Sequence, residues 1–85
     1  MLYLKEISKD KKFFKVIYSI EREDIEFIWS KETIINGIKN NRNYKTVYYN
    51  NDKLLEGADV ILQENHLVTV KNDKIEDNLS ELPIF

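Results

Sequence analysis

From Phe13 to Ile20 apolar and polar positions alternate. Phe14, Val16, Tyr18 and Ile20 fall on one face of an extended chain, and Phe13, Lys15, Ile17 and Ser19 on the other. A period of two is the signature of a half-buried strand. The shorter mixed run Leu2 to Ile7 predicts a strand before it. Ile25, Phe27 and Trp29, alternating with Glu26 and Ile28, predict a returning strand after a polar turn over 21–24.

At Ser30 the pattern changes. A serine hydroxyl can accept from the free amides of a first helical turn, and Glu32 suits the positive end of the helix dipole. Trp29 and Ile34 occupy the two positions of a hydrophobic staple, and Ile34, Ile35 and Ile38 make one apolar stripe. A short helix ending near Asn40 is expected, weakened by Gly37, since glycine inside a helix costs about 1 kcal/mol against alanine. Tyr44 to Tyr49 is aromatic and β-branched, hence a strand. Asn50-Asn51-Asp52 reads as a turn and Gly57 as a second break. Val60 to Gln63 and Leu67 to Val70 flank Glu64-Asn65-His66, a tight hairpin. The order is β-β-β-α-β-β-β. One helix laid on a face of a small antiparallel sheet is the simplest α+β packing that buries these stripes.

Composition narrows the class. Eighty-five residues form one domain, 1–85, and 42% hydrophobic residues give a core without staples. There is no cysteine, so disulfides and thiolate metal sites are excluded and nothing points to secretion. No long apolar run suggests a signal peptide or a membrane span, so the expectation is a cytoplasmic protein with no membrane partner. A formal net charge of −2 is too balanced for an obligate nucleic-acid binder. Local patches exist: Lys9, Lys11, Lys12 and Lys15 with Asp10 sum to +3, as do Lys39, Arg42, Lys45 and Lys53 with Asp52. Glu21, Glu23, Asp24 and Glu26 with Arg22 sum to −3.

Catalytic chemistry finds little material. Ser8, Ser19, Ser30 and Ser80 lack a nucleophile-elbow context, and His66 is the one imidazole, placed in a turn. Glu76 and Asp77 are adjacent carboxylates in a polar loop. The run "NDKIEDN" (Asn72 to Asn78) lacks the glycine and carboxylate spacing of an EF-hand, and no phosphate-cradling glycine loop is present. No enzyme, no cofactor and no metal site are expected. The strongest binding candidate is "NNRNYKTVYYNN", in which Arg42 and Lys45 interleave with Tyr44, Tyr48 and Tyr49. Aromatic faces can stack on bases while cations neutralise phosphate. Strand alternation puts Tyr44 and Tyr48 on one face and Lys45, Val47 and Tyr49 on the other, and one face must pack on the helix.

The chain closes on "DNLSELPIF". Leu79, Leu82, Ile84 and Phe85 are too apolar for a free tail, and Pro83 stiffens the segment. The tail is expected to fold back over an open side of the sheet. A first hairpin, the serine-started helix "SKETIINGIK", a strand "HLVTV" and a terminus with Asp77-Asn78-Leu79, Leu82-Pro83 and Phe85 together resemble the small bacterial and phage proteins grouped as domain of unknown function 3892. The chain departs from that pattern in lacking a turn glycine near Asp10 and in its extra aromatics. The resemblance implies an α+β fold and transfers no functional residues.

The functional expectation is a small non-enzymatic protein-binding module. A phage or mobile-element accessory that inhibits a host factor, such as a defence nuclease, is the form considered. The alternative is binding or sequestration of a nucleotide or nucleic acid through the strand from Arg42 to Tyr49. A protein partner is expected, a nucleotide ligand and a homo-oligomer are compatible, and generic duplex nucleic acid is not expected.

Overall fold

The structure, a computed structural model, describes residues 1–72, 74–76 and 79–85, and of Lys74 and Glu76 only the backbone. Three of the residues noted above, Asp73, Asp77 and Asn78, therefore lie outside the described residues. Among the described residues seven strands and one α-helix follow in the order β1 (Leu2–Ile7), β2 (Phe13–Ile17), β3 (Phe27–Ser30), α1 (Lys31–Lys39), β4 (Tyr44–Asn50), β5 (Lys53–Gln63), β6 (His66–Lys71) and β7 (Lys74–Glu76). They form a single sheet with spatial order β3-β2-β1-β4-β5-β6-β7. The small α+β fold expected from the pattern is what the chain adopts. Among the described residues no helix is long and apolar enough to cross a membrane.

The sheet is antiparallel at every junction except one. β1 pairs with β4 in parallel over Leu2–Tyr44, Tyr3–Lys45 and Leu4–Thr46. Two consecutive hairpin-like units, β2 against its neighbours and β4–β7, thus meet at a central parallel seam, with α1 closing the crossover. Parallel neighbours need such a long connection, whereas antiparallel ones can be joined by two residues.

Local chemistry accounts for the elements. Ser30 is the N-cap of α1, its side chain accepting from the Thr33 N–H at 3.2 Å. Trp29, Ile34 and Ile38 all join the larger core cluster with Leu4, Phe14, Val16, Tyr44 and Val60. Turns are made without glycine. Asn51 and Asp52 both have positive φ, as do Glu64 and Asn65, which makes each a two-residue primed turn. His66 is therefore not in the turn. It opens β6, exposed and paired with Gln63.

Two further expectations are corrected. Gly57 does not break the chain: β5 runs through it, and a register shift between Lys45–Asp59 and Val47–Glu56 marks a bulge there. The Thr46 hydroxyl fills the bulge by accepting from the buried Ala58 N–H at 2.9 Å. A Cβ on Gly57 would collide with that hydroxyl, so glycine serves close approach and not termination. The strand from Phe13 also stops at Ile17. Ile20 sits in a one-turn 3₁₀ segment, Ile20–Arg22, and packs with Tyr3, Ile17, Val47 and Leu54. It covers the face opposite to the one that unbroken alternation assigns it.

The tail folds back as expected. Leu79 and Leu82 are buried in the cluster under α1, whereas Ile84 is 67% exposed. Pro83 and Phe85 lock the segment beside β1: the Ile7 N–H donates to the Pro83 carbonyl at 3.0 Å and the Phe85 N–H to the Ile7 carbonyl at 3.1 Å. Lys15 places its ammonium 5.1 Å from the centre of the Phe85 ring.

Candidate functional site

The seam between β1 and β4 closes for only three residue pairs. A bulge at Lys5, between Leu4–Val16 and Glu6–Lys15, coincides with the end of that seam, and beyond it β1 continues with β2. β4 continues with β5 as far as Asn50. The two strands part like a fork, and the tail enters the open end by bridging to Ile7 in parallel. The remaining gap is a cleft of about 780 Å³. Val47, Leu54, Ala58, Leu82 and Pro83 supply apolar lining, and Tyr48 and Tyr49 stand on either face of β4. Lys5, Lys71 and Glu81 bring charge to the rim.

Backbone groups also face this gap. The type I′ turn at Asn51-Asp52 makes Asn50–Lys53 a hydrogen-bonded pair. Alternation then sends the N–H and C=O of Tyr48 to β5, and those of Tyr49 towards the fork. The fork thus offers strand edge and apolar pockets together.

The five residues singled out in the sequence do not form one surface. Tyr44 is 1% exposed and lies under the helix, its hydroxyl against Gly37. Among the described residues that hydroxyl has no hydrogen-bond partner. Arg42 leans on Trp29, its guanidinium carbon 5.6 Å from the ring centre. Lys45 is held by Glu56 at 3.4 Å and Asp59 at 3.9 Å. Only Tyr48 and Tyr49 reach the cleft. The Lys71 ammonium lies 5.7 Å from the Tyr48 ring centre, and the Tyr49 hydroxyl donates to Glu23 at 2.8 Å.

Electrostatics stiffen the second face of the fork. Lys5 donates to Glu26 at 2.9 Å, and this bond holds the Glu26 carboxyl below its ordinary value against a smaller opposing effect of burial. Tyr49 is pushed up by its bond to Glu23, with burial adding to the effect. Across the sheet, Tyr3 donates to Glu56 at 2.7 Å; that bond raises Tyr3 and, with Lys45 nearby, lowers Glu56. Each acid here has its counterpart, so the acidic segment from Glu21 to Glu26 serves partly to fasten the turn across Lys5 and Tyr49. Among the described residues no group of three His, Asp or Glu side chains could hold a metal ion.

A second exposed feature lies at the edge strand β3. Tyr18, Phe27 and Trp29 form a row with ring centres 6.1 and 6.0 Å apart, continued by Arg42. Strand alternation places Tyr18 beside Phe14 and Val16, and a hydrophobic staple pairs Trp29 with Ile34; neither pattern points to Lys5, Lys71, Leu82 or Pro83 as cleft residues. A bulge at Lys5 has no local signature that would have revealed the fork. Comparison with family models, with curated proteins and with solved structures finds no match.

Proposed function

We propose that this protein is a non-enzymatic binding domain that takes a short extended segment of another protein into the fork between β1 and β4. The observation that carries the reading is the tail: Pro83 to Phe85 enters the fork in extended form and bridges Ile7 in parallel through two main-chain hydrogen bonds, opposite the outward-facing backbone of Tyr49. Main-chain hydrogen bonds along such an edge give affinity, and alternating pockets give side-chain preference. The apolar lining favours one or two hydrophobic side chains. A blocking role against a host factor, as in counter-defence, needs no chemistry beyond this occupancy. The dispersal of Arg42, Tyr44 and Lys45 leaves the nucleotide alternative without a shared surface to support it.

The test is selection of displayed random peptides on the immobilised domain, followed by calorimetry with the peptides obtained and with mono-, cyclic and oligonucleotides. Selected peptides should bind saturably, and Tyr48→Ala and Tyr49→Ala should each weaken them by more than about 1 kcal/mol, as truncation of an aromatic anchor does. Saturable nucleotide binding with no peptide selected would reverse the assignment.

A further inference from the structure

We infer that two copies of this chain pair through their β3 strands, antiparallel and centred on Ile28, to make one continuous sheet. The inference is independent of the cleft. β3 ends the sheet on one side, with Phe27 42% and Ile28 60% exposed. Edge strands are normally protected by lysine, proline or a covering loop. The opposite edge, β7, carries Lys74 and Glu76, whereas β3 reads Phe-Ile-Trp-Ser with no charge and no proline.

The hydrogen-bonding pattern constrains the register. The Lys31 N–H donates to the Lys12 carbonyl at 2.8 Å, so Lys12 and Lys31 are a bonded pair at the end of the β2–β3 ladder. Alternation makes Trp29–Phe14 and Phe27–Val16 bonded pairs as well, and leaves the N–H and C=O of Ile28 and Ser30 pointing outward. A twofold axis perpendicular to the sheet keeps each face continuous only if paired residues share parity. Centring on Ile28 satisfies this. Ile28 then exchanges both backbone bonds with its own copy, and Ser30 does so with Glu26.

The side chains fit the same axis, because Phe27 and Trp29 flank Ile28 symmetrically. Phe27 of one copy falls opposite Trp29 of the other, twice, and joins the two aromatic rows on the helix face. On the other face Ile28 meets Ile28, and no two like charges are opposed within the ladder. Aromatic cross-strand pairs are among the favourable ones. Two four-residue strands bury less than the roughly 1,200 Å² of standard stable complexes, so a weak, concentration-dependent dimer is expected.

The experiment is sedimentation equilibrium of the full chain from about 5 to 500 µM, in this range because of that small interface. The wild type should pass from monomer to dimer, and Ile28→Lys, which sets two ammonium groups against each other across the axis, should weaken dimerisation at least tenfold with an unchanged circular dichroism spectrum. Because the chain has no cysteine, Ile28→Cys gives a second reading. Paired α-carbons about 5.5 Å apart lie within disulfide reach, so this variant should oxidise to a covalent dimer faster than Ile61→Cys on β5. A wild type that stays monomeric throughout, a dimer indifferent to Ile28→Lys, or equal oxidation of the two cysteine variants overturns the proposal.

Discussion

Replacing Gly37 by alanine tests the packing between α1 and β4, because two effects of similar size oppose each other there. In an exposed helix the change is stabilising by about 0.8–1.0 kcal/mol. In this helix a Cβ at position 37 would stand 2.7 Å from the Tyr44 hydroxyl oxygen, 3.2 Å from Tyr44 Cε2 and 3.3 Å from Arg42 Cδ. The oxygen contact is far inside van der Waals range, and overpacking of this kind costs about 1–3 kcal/mol. Gly37→Ala alone should therefore be neutral or destabilising, by up to about 2 kcal/mol. Tyr44→Phe removes the offending oxygen and breaks no described hydrogen bond, since among the described residues that buried hydroxyl has no partner. Leaving a polar group in that state costs about 1–3 kcal/mol, so Tyr44→Phe should be neutral or stabilising. In its background the remaining contacts need to yield by only a few tenths of an ångström, and the helix preference for alanine re-emerges. The coupling in the double-mutant cycle should be about 1–2 kcal/mol in favour of the double variant. Urea unfolding of the four proteins measures it, and heating should agree at about 4–8 °C per kcal/mol for a domain of this size. A stabilising Gly37→Ala in the wild-type background, or an additive cycle, would refute the account of why glycine stands there.

Two further outcomes follow from the tail and from the ion pair at the fork. Leu82 is 6% exposed and Ile84 67%; Leu82→Ala should cost about 2–5 kcal/mol and Ile84→Ala no more than about 0.5 kcal/mol, and similar melting points for the two would refute the latch. The Glu26 carboxyl is held below its ordinary 4.5 by Lys5, so its contribution is present above that pH and lost as pH falls through the lower folded value. Urea midpoints between pH 3 and 7 should fall less steeply on acidification for Glu26→Gln than for the wild type, and parallel profiles would refute that role for the pair.

The elements most visible in the sequence are those whose determinants are local. The alternation of Phe14 and Val16 locates β2, and Ser30 with Ile34 and Ile38 locates α1 and its buried side. Leu79 and Leu82 announce a docked tail because a solvated terminus has no use for them. What escapes the sequence depends on partners distant along the chain. Gly57 resembles a break until Thr46 is found opposite it. β7 is three residues of mixed character, and the parallel pairing of β1 with β4 leaves no periodic trace. The same limit governs the candidate site. Alternation alone separates Tyr48 from Tyr49, but only the tertiary fold shows Tyr44 beneath Gly37 and Lys45 engaged by Glu56 and Asp59.

The three-pair parallel seam also bears on how the chain reaches this state. On one side of it, β1 to β3 are joined by contacts near in sequence, and on the other so are β4 to β7. Hairpins of this sort form in about 1–10 µs. Joining Leu2–Leu4 to Tyr44–Thr46 requires closure of the whole intervening segment, and pairings of that separation dominate the folding time of a small domain. The tail can bridge to Ile7 only once the second half is in place. Leu2 and Tyr44 are far apart along the chain, so on this topology Leu2 is among the last residues to acquire its neighbour.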